Sequence, residues 1–359
     1  MRKKCRAREL GLNLPGTPGP DNAITDVPDV LVGYTTLQEL SSQGTPIQTG
    51  VTAILPQGRN PIPQPTLAGQ FTLNGNGEMT GTHWIHDGGY FVGPICITNT
   101  HSVGAVHQGA THWMLNQYRD AFSEHHLWAM PVVAETYDGV LNDINGQHIR
   151  PEHAVAAIDS ASSGMIEEGN VGGGTGMICY EYKGGTGTAS RRLNVGDHDY
   201  TVGCLVQANH GMRDWLTILG KPVGLTMRDN LLFPRENGSI IVILATDAPL
   251  SPIALRHLAR RASIGVGRHG TPGGNNSGDI FMAFSTANKQ PIPQLATPIQ
   301  SYEFMNSEFL DPIYLAAVES VEESVINALL AAQNVPTFKP SGTMCHAIDH
   351  DLLCEALGI

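Results

Sequence analysis

A serine at the mouth of an apolar run is the first place in this chain where the residue types suggest chemistry. Asn237-Gly238-Ser239 leads into Ile240-Ile241-Val242-Ile243-Leu244-Ala245-Thr246-Asp247. The unbroken, largely β-branched stretch reads as a strand buried on both faces. Gly-Ser at a strand entrance is in most chains a plain turn. The same arrangement serves chains that cut themselves: the hydroxyl attacks the preceding carbonyl, the peptide becomes an ester, and hydrolysis frees a new N-terminal serine. Such a serine carries its own base, because an α-amine titrates near ~8 against ~10 for a lysine. Gly238 suits the role, since glycine tolerates strained backbone and leaves its carbonyl open to attack.

Other polar groups sit at comparable places. Ser277 and Asp279 precede the apolar run Ile280 to Phe284, and Asn209 follows Val202 to Ala208. Strand ends deliver side chains to clefts. Together these residues can support amide hydrolysis: Ser239 Oγ as nucleophile, its amine as base, Ser277 and Asp279 as orienting groups, and an amide such as Asn209 as oxyanion donor. Glu135 and Tyr137 lie two apart, on one side of an extended segment. A buried acid needs a partner, so Glu135 is expected to meet a cation, structural or from a ligand, and taken alone the structural partner is favoured. Leu73 to Thr82, dense in turn formers and carrying Glu78, is either a hairpin or surface loop or the rim of a pocket.

Several familiar sites are absent from the sequence. There is no G-x-S-x-G elbow, no HExxH and no usable S-x-x-K. The 15 histidines lack acids at metal-binding spacing, so neither metal nor cofactor is expected. Gly172 to Gly176 follows a predicted helix instead of opening one, which suits close backbone packing or a pocket wall more than a phosphate cradle.

Composition narrows the class. The 359 residues are 41% hydrophobic and 15% charged, with 41 Gly and 23 Pro and a net charge of -12. This suits a turn-rich α/β protein and argues against nucleic acid as a partner. The basic cluster Arg2 to Arg8 reads as an exposed tail, and Arg256 to Arg268 as the polar side of a helix. Six scattered cysteines without zinc spacing read as reduced, mostly buried thiols. No signal peptide or membrane-spanning run is evident, so a soluble, cytoplasmic protein is expected.

The elements that must position these groups follow from periodicity. Strands are expected near 30–33, 51–55, 90–99, 128–139, 202–208, 239–246 and 280–284. Thr100 reads as the N-cap of a helix bearing Val103, Val106, Ala110, Trp113 and Met114. A second helix is expected over Pro151 to Glu168, with Val155, Ile158 and Met165 inward. Ser251-Pro252 starts a third, with Leu255, Leu258, Ala259 and Ala262 as its stripe. Asp311-Pro312 starts a long one, with Leu315, Val318, Val325 and Leu329 inward and Glu319, Glu322 and Glu323 on a solvated face. A short helix ends the chain over 349–357. Clusters of strands separated by pairs of helices suit a layered sandwich without linkers or repeats.

Gly238-Ser239-Ile-Ile-Val, Ala245-Thr246-Asp247-Ala248-Pro249-Leu250, Asn276-Ser277-Gly278-Asp279-Ile280-Phe281, Gly75-Asn76-Gly77-Glu78-Met79-Thr80-Gly81 and Glu135-Thr136-Tyr137-Asp138-Gly139 together resemble the L-aminopeptidase D-Ala-esterase/amidase and β-peptidyl aminopeptidase family. The resemblance runs over nearly the whole chain. It implies a single-domain, four-layer αββα sandwich of the Ntn-hydrolase-like kind, cleaved between Gly238 and Ser239 into chains 1–238 and 239–359 that assemble as a homotetramer of cleaved pairs. By the same resemblance Ser239 is the nucleophile, Ser277 its supporting serine and Asn209 the oxyanion-hole amide. Tyr137 is the phenol beside the scissile carbonyl, Glu135 the carboxylate that holds the substrate's amino group, and Trp128 an aromatic wall of the pocket. Asp279 stands where some members carry Glu, with shorter reach and the same charge. The implied activity is a cofactor-free serine aminopeptidase acting on short peptides, amino-acid amides or esters. The alternatives are acyl transfer on the same fold, against which the serine nucleophile counts because the related transferases use threonine, and an uncleaved binding protein.

Overall fold

The computed structural model describes residues 5–236 and 238–359; Asn237 and the basic residues Arg2, Lys3 and Lys4 of the predicted tail lie outside them. Two sheets form the middle of the molecule. The first runs β1 (Leu31–Leu40), β2 (Pro46–Leu55), β5 (Ile95–Asn99) and β6 (Val132–Thr136) in that order. The second holds β3 (Thr66–Gly75), β4 (Tyr90–Phe91), β9 (Gly185–Val195), β10 (His198–Asn209), β11 (Ser239–Thr246) and β12 (Gly278–Ser285), ordered β4-β3-β12-β11-β10-β9. A hairpin of β7 (Ile178–Cys179) and β8 (Tyr182–Lys183) stands apart.

Helices cover the outer faces. α2 (Val103–Gln117) and α4 (Pro151–Asp159) pack on the first sheet, and α6 (Pro252–Gly267) and α7 (Asp311–Leu330) on the second. The remaining helices are short: α1 (Thr82–Gly88), α3 (Arg119–Glu124), α5 (Val223–Thr226) and the terminal α8 (His350–Leu357). The order of layers is therefore helix, sheet, sheet, helix.

β11 explains why its sequence is apolar throughout. Successive strand residues face opposite ways. Ile241, Ile243 and Ala245 enter the core between the sheets with Ile97, Ala134 and Leu205. Ile240, Val242 and Leu244 enter the core under α6 and α7 with Leu255, Leu258 and Val325. A third core joins Val106, Ala110 and Met114 of α2 and Ile158 of α4 to Val51, Ala53 and Cys96. Four of the six cysteines are buried. No helix among the described residues is long and apolar enough to cross a membrane.

Three expectations need correction. The helix expected to reach Glu168 stops at Asp159, because Ser162 exchanges backbone hydrogen bonds with Val32 and draws the chain alongside β1. Met165 is accordingly 75% exposed instead of inward. On α7, Val318, Val325 and Leu329 are buried as expected, but Leu315 is exposed and Glu319, Glu322 and Glu323 are buried instead of solvated. The acids are paired from other elements: Arg191 with Glu319 and Glu323, Arg8 with Glu323, and Arg268 with Glu322. The described part of the basic N-terminal segment is therefore docked, with Arg6 on Glu168 at 2.8 Å.

Candidate active site

Strand ends converge on one cavity of about 590 Å³. β10 and β11 are antiparallel with Asn209 directly opposite Ser239. β11 and β12 are parallel, so the first residues of β12 arrive beside Ser239. From the first sheet, β6 ends with Glu135 and Thr136, and Tyr137 follows. Glu135, Tyr137, Asn209, Gly238 and Ser239 all line the cavity.

Ser239 is buried, and its Oγ accepts a hydrogen bond from the Gly278 amide at 3.0 Å. The two residues flanking that amide bond each other: Ser277 Oγ donates to Asp279 Oδ1 at 2.6 Å. Asn74 Nδ2 donates to the other oxygen of Asp279 at 2.9 Å. Burial pushes the Asp279 carboxyl above its ordinary range, and these two donors oppose it.

Asn209 is fixed at both ends of its amide. Its Oδ1 accepts from the Ile178 backbone at 2.7 Å, and Nδ2 donates to the Tyr137 carbonyl at 3.0 Å. The second hydrogen of that amide is available to a ligand in the cavity. The Tyr137 ring is 43% exposed and folds back over Gly139, where a Cβ would lie 2.3 Å from the phenol oxygen.

Glu135 is 4% exposed. Its Oε1 accepts from the Glu78 amide at 2.9 Å, and its Oε2 from the Thr100 hydroxyl. Burial raises its pKa, opposed by these two bonds. None of the lining residues is Lys or Arg, and among the described residues Glu135 has no ion-pair partner. The structural cation that Glu135 alone would favour is thus absent from those residues. A charged carboxylate held by neutral donors and facing a cavity is a receptor for a ligand's cation. His210 adds no charge, since burial and the neighbouring His269 lower its pKa to about 3.

Two further placements differ from expectation. Trp128 is half-exposed and lines a separate apolar hollow with Trp84, Tyr90, Phe122 and Met130; within this chain the Ser239 cavity has Phe233 and Tyr137 as its aromatic rings. Thr100 is not the N-cap. It opens a short 3-10 turn, Thr100–Ser102, which Asn99 caps by accepting from the His101 amide, and α2 starts only after Ser102, which leaves the Thr100 hydroxyl for Glu135. The Gly75–Gly81 segment is a rim: Asn76, Gly77 and Glu78 line the cavity. Gly176 forms part of the wall, and Gly173 packs against the Ile97 carbonyl and the Gln207 side chain, where a Cβ would not fit. Sequence reasoning did not single out Asn74 or Phe233, and Glu78 and Thr100 were noticed for other reasons.

Residues 22–342 match the model of peptidase family S58. The chain belongs to peptidase family S58. It is 47% identical over 351 residues to a β-peptidyl aminopeptidase of Sphingosinicella microcystinivorans, covering 92% of this chain and 86% of that relative. Among solved structures, the L-aminopeptidase D-Ala-esterase/amidase of Ochrobactrum anthropi superposes with a TM-score of 0.95 at 55% identity over 98% of both chains. It is described as a prototype serine aminopeptidase and a variant of the Ntn-hydrolase fold. A β-aminopeptidase of a Burkholderia species superposes with a TM-score of 0.90 at 44% identity, over 99% of this chain and 98% of that one. The S58 chain described here is accordingly a hydrolase with aminopeptidase activity, built on the Ntn-hydrolase sandwich.

Proposed function

We propose that this S58 chain is a serine aminopeptidase that activates itself at Gly238–Ser239 and then removes N-terminal residues from short peptides, amino-acid amides or esters. The observation that carries the reading is the shared cavity: a buried nucleophilic serine at one side and, at the other, a buried carboxylate without a cation of its own. In maturation Ser239 Oγ attacks the Gly238 carbonyl, the acyl group moves from nitrogen to oxygen, and water cleaves the ester to leave a Gly238 carboxylate and a free Ser239 amine.

In turnover the substrate's ammonium group sits on Glu135, which places the first carbonyl near Ser239. The neutral Ser239 amine takes the hydroxyl proton as Oγ attacks. Asn209 donates to the oxyanion, and Tyr137 stands beside the same carbon. The tetrahedral adduct collapses to an acyl-enzyme as the departing amine accepts that proton. Water then releases the first residue. Glu78 at the rim reinforces the preference for a positively charged terminus. Assembly as a homotetramer of cleaved pairs in the cytoplasm belongs to the same proposal, and the mass of the native particle tests it.

The function is tested with paired substrates, aminoacyl p-nitroanilides with free and with N-acetylated termini. Release is expected only from the free amines. Equal rates on both would remove Glu135's role and with it the aminopeptidase geometry.

A further inference from the structure

We propose that Asn74 is a positioning residue for Asp279, and through it for the Ser277–Gly278 corner that meets Ser239. Asp279 is 3% exposed and makes no ion pair among the described residues. Its negative charge is held by dipoles alone, from the Asn74 and Ser277 side chains and the Ile240 backbone amide. Asn74 Nδ2 also donates to the Gly274 carbonyl at 3.1 Å. With both hydrogens of the amide engaged, it cannot turn away from the carboxylate.

The backbone is shaped around this contact. Asn74 faces Asp279 across the β3–β12 pair, and the next pairing is Thr72 with Ile280, so Leu73 is an extra residue in a bulge. Bulges beside active sites re-aim a side chain. The far oxygen of Asp279 is therefore pinned by β3, which leaves the near one to receive the Ser277 hydroxyl. Ser277 and Asp279 in turn fix the Gly278 amide that touches Ser239 Oγ. Removing the Asn74 donor frees the carboxylate to rotate and takes away one of the bonds that oppose burial.

The inference rests on Ser239, Ser277 and Asp279 forming the reactive machinery, so the test separates the two. Newly translated, uncleaved chain is moved into buffers from acid to mildly alkaline, and the initial rate of cleavage at Gly238–Ser239 is followed for wild type, Asn74→Leu, Asn74→Ser and Asp279→Asn. The precursor has no free Ser239 amine, so that group does not contribute to the acid limb. Folding is checked by the thermal midpoint of each variant in a Ser239→Ala background, and Asn74→Ser supplies the result if Asn74→Leu does not fold.

Loss of a hydrogen bond to a charged group moves a pKa by about one unit. The acid limb for the Asn74 variants is therefore expected about one unit higher, with cleavage about tenfold slower on the slope. An unmoved midpoint in the Asn74 variants, with Asp279→Asn slow at every pH, overturns the role of Asn74 alone. A wild type that never cleaves, or an Asp279→Asn chain that cleaves like wild type, overturns the machinery and the inference with it.

Discussion

Asn209 and Ser239 stand directly opposite each other at the ends of antiparallel strands β10 and β11. One hairpin-like pair thus carries both the attacking hydroxyl and the amide proposed to receive the oxyanion. The parallel strand β12 adds the Gly278 amide from the other side. Rigid strands fix these positions more tightly than loops would.

Gly238 packs so closely on this pair that a Cβ would lie 2.0 Å from the Asn209 carbonyl and 2.7 Å from the His210 Cα. Gly238→Ala should therefore force the strand ends apart, at a cost of about 1–3 kcal/mol. The expected outcome is a lower thermal midpoint and cleavage slowed well beyond tenfold with Ser239 untouched. Wild-type maturation in this variant would show that the contact does not matter.

Glu135→Gln removes the charge while keeping acceptors and donors for the Glu78 amide and the Thr100 hydroxyl. Truncating one partner of a buried charge pair typically costs 2–5 kcal/mol or more, so kcat/KM on free-amine substrates should fall roughly 100-fold or more. Folding should be unharmed, because a buried carboxylate is replaced by a neutral amide. Steady-state kinetics beside a thermal melt decides it.

The pH profile follows from burial. Glu135 and Asp279 both have raised pKa values, so as pH falls they lose their charge earlier than an ordinary carboxylate near ~4. The Ser239 amine must also be neutral to act as base. The acid side of log kcat/KM should therefore reach a slope above one, and Glu135→Gln should lower that limiting slope by one. A slope of one in both enzymes would contradict the assignment.

His269 is fully buried near His210, and burial lowers its pKa to about 4. The folded state keeps it neutral while the unfolded chain protonates it near ~6.5, so between these values the unfolded state binds more protons and stability falls with falling pH. Asp138 and Glu168, lifted by burial to about 7, act in the opposite sense, which makes a difference measurement necessary. Relative to His269→Gln, wild type should lose stability on the order of 1 kcal/mol per pH unit across that window. Urea denaturation at stepped pH is the check, and a constant difference would contradict it.

Much of this was legible in the chain, and the misses have physical causes. Where burial on both faces demands a uniform apolar run, as in Ser239–Thr246, the strand was evident. Ser251-Pro252 likewise announced α6, and Ser251 does cap it by accepting from the Ala254 amide. The strand over Gly185–Val195 was not evident, because its buried half is Gly, Thr, Ala and Ser. Its smallness is what α7 requires: a Cβ on Gly187 would lie 2.0 Å from the Ser324 carbonyl. The buried acids of α7 looked like a solvated face because their arginines come from residues 8, 191 and 268. At the site, nucleophile and acids sit beside recognisable turns and strand ends. Asn74 and Thr100 gain their roles only from partners 205 and 35 residues away, which no local pattern encodes.

The most direct test of the central claim is the intact mass of the purified chain under denaturing conditions, with Ser239→Ala in parallel. Cleavage should divide the 38.4 kDa chain into pieces of about 25 and 13 kDa, the shares of residues 1–238 and 239–359, while the variant stays whole. A wild type that remains full-length, or a variant that is cleaved at the same bond, would contradict Ser239 as the self-liberated nucleophile.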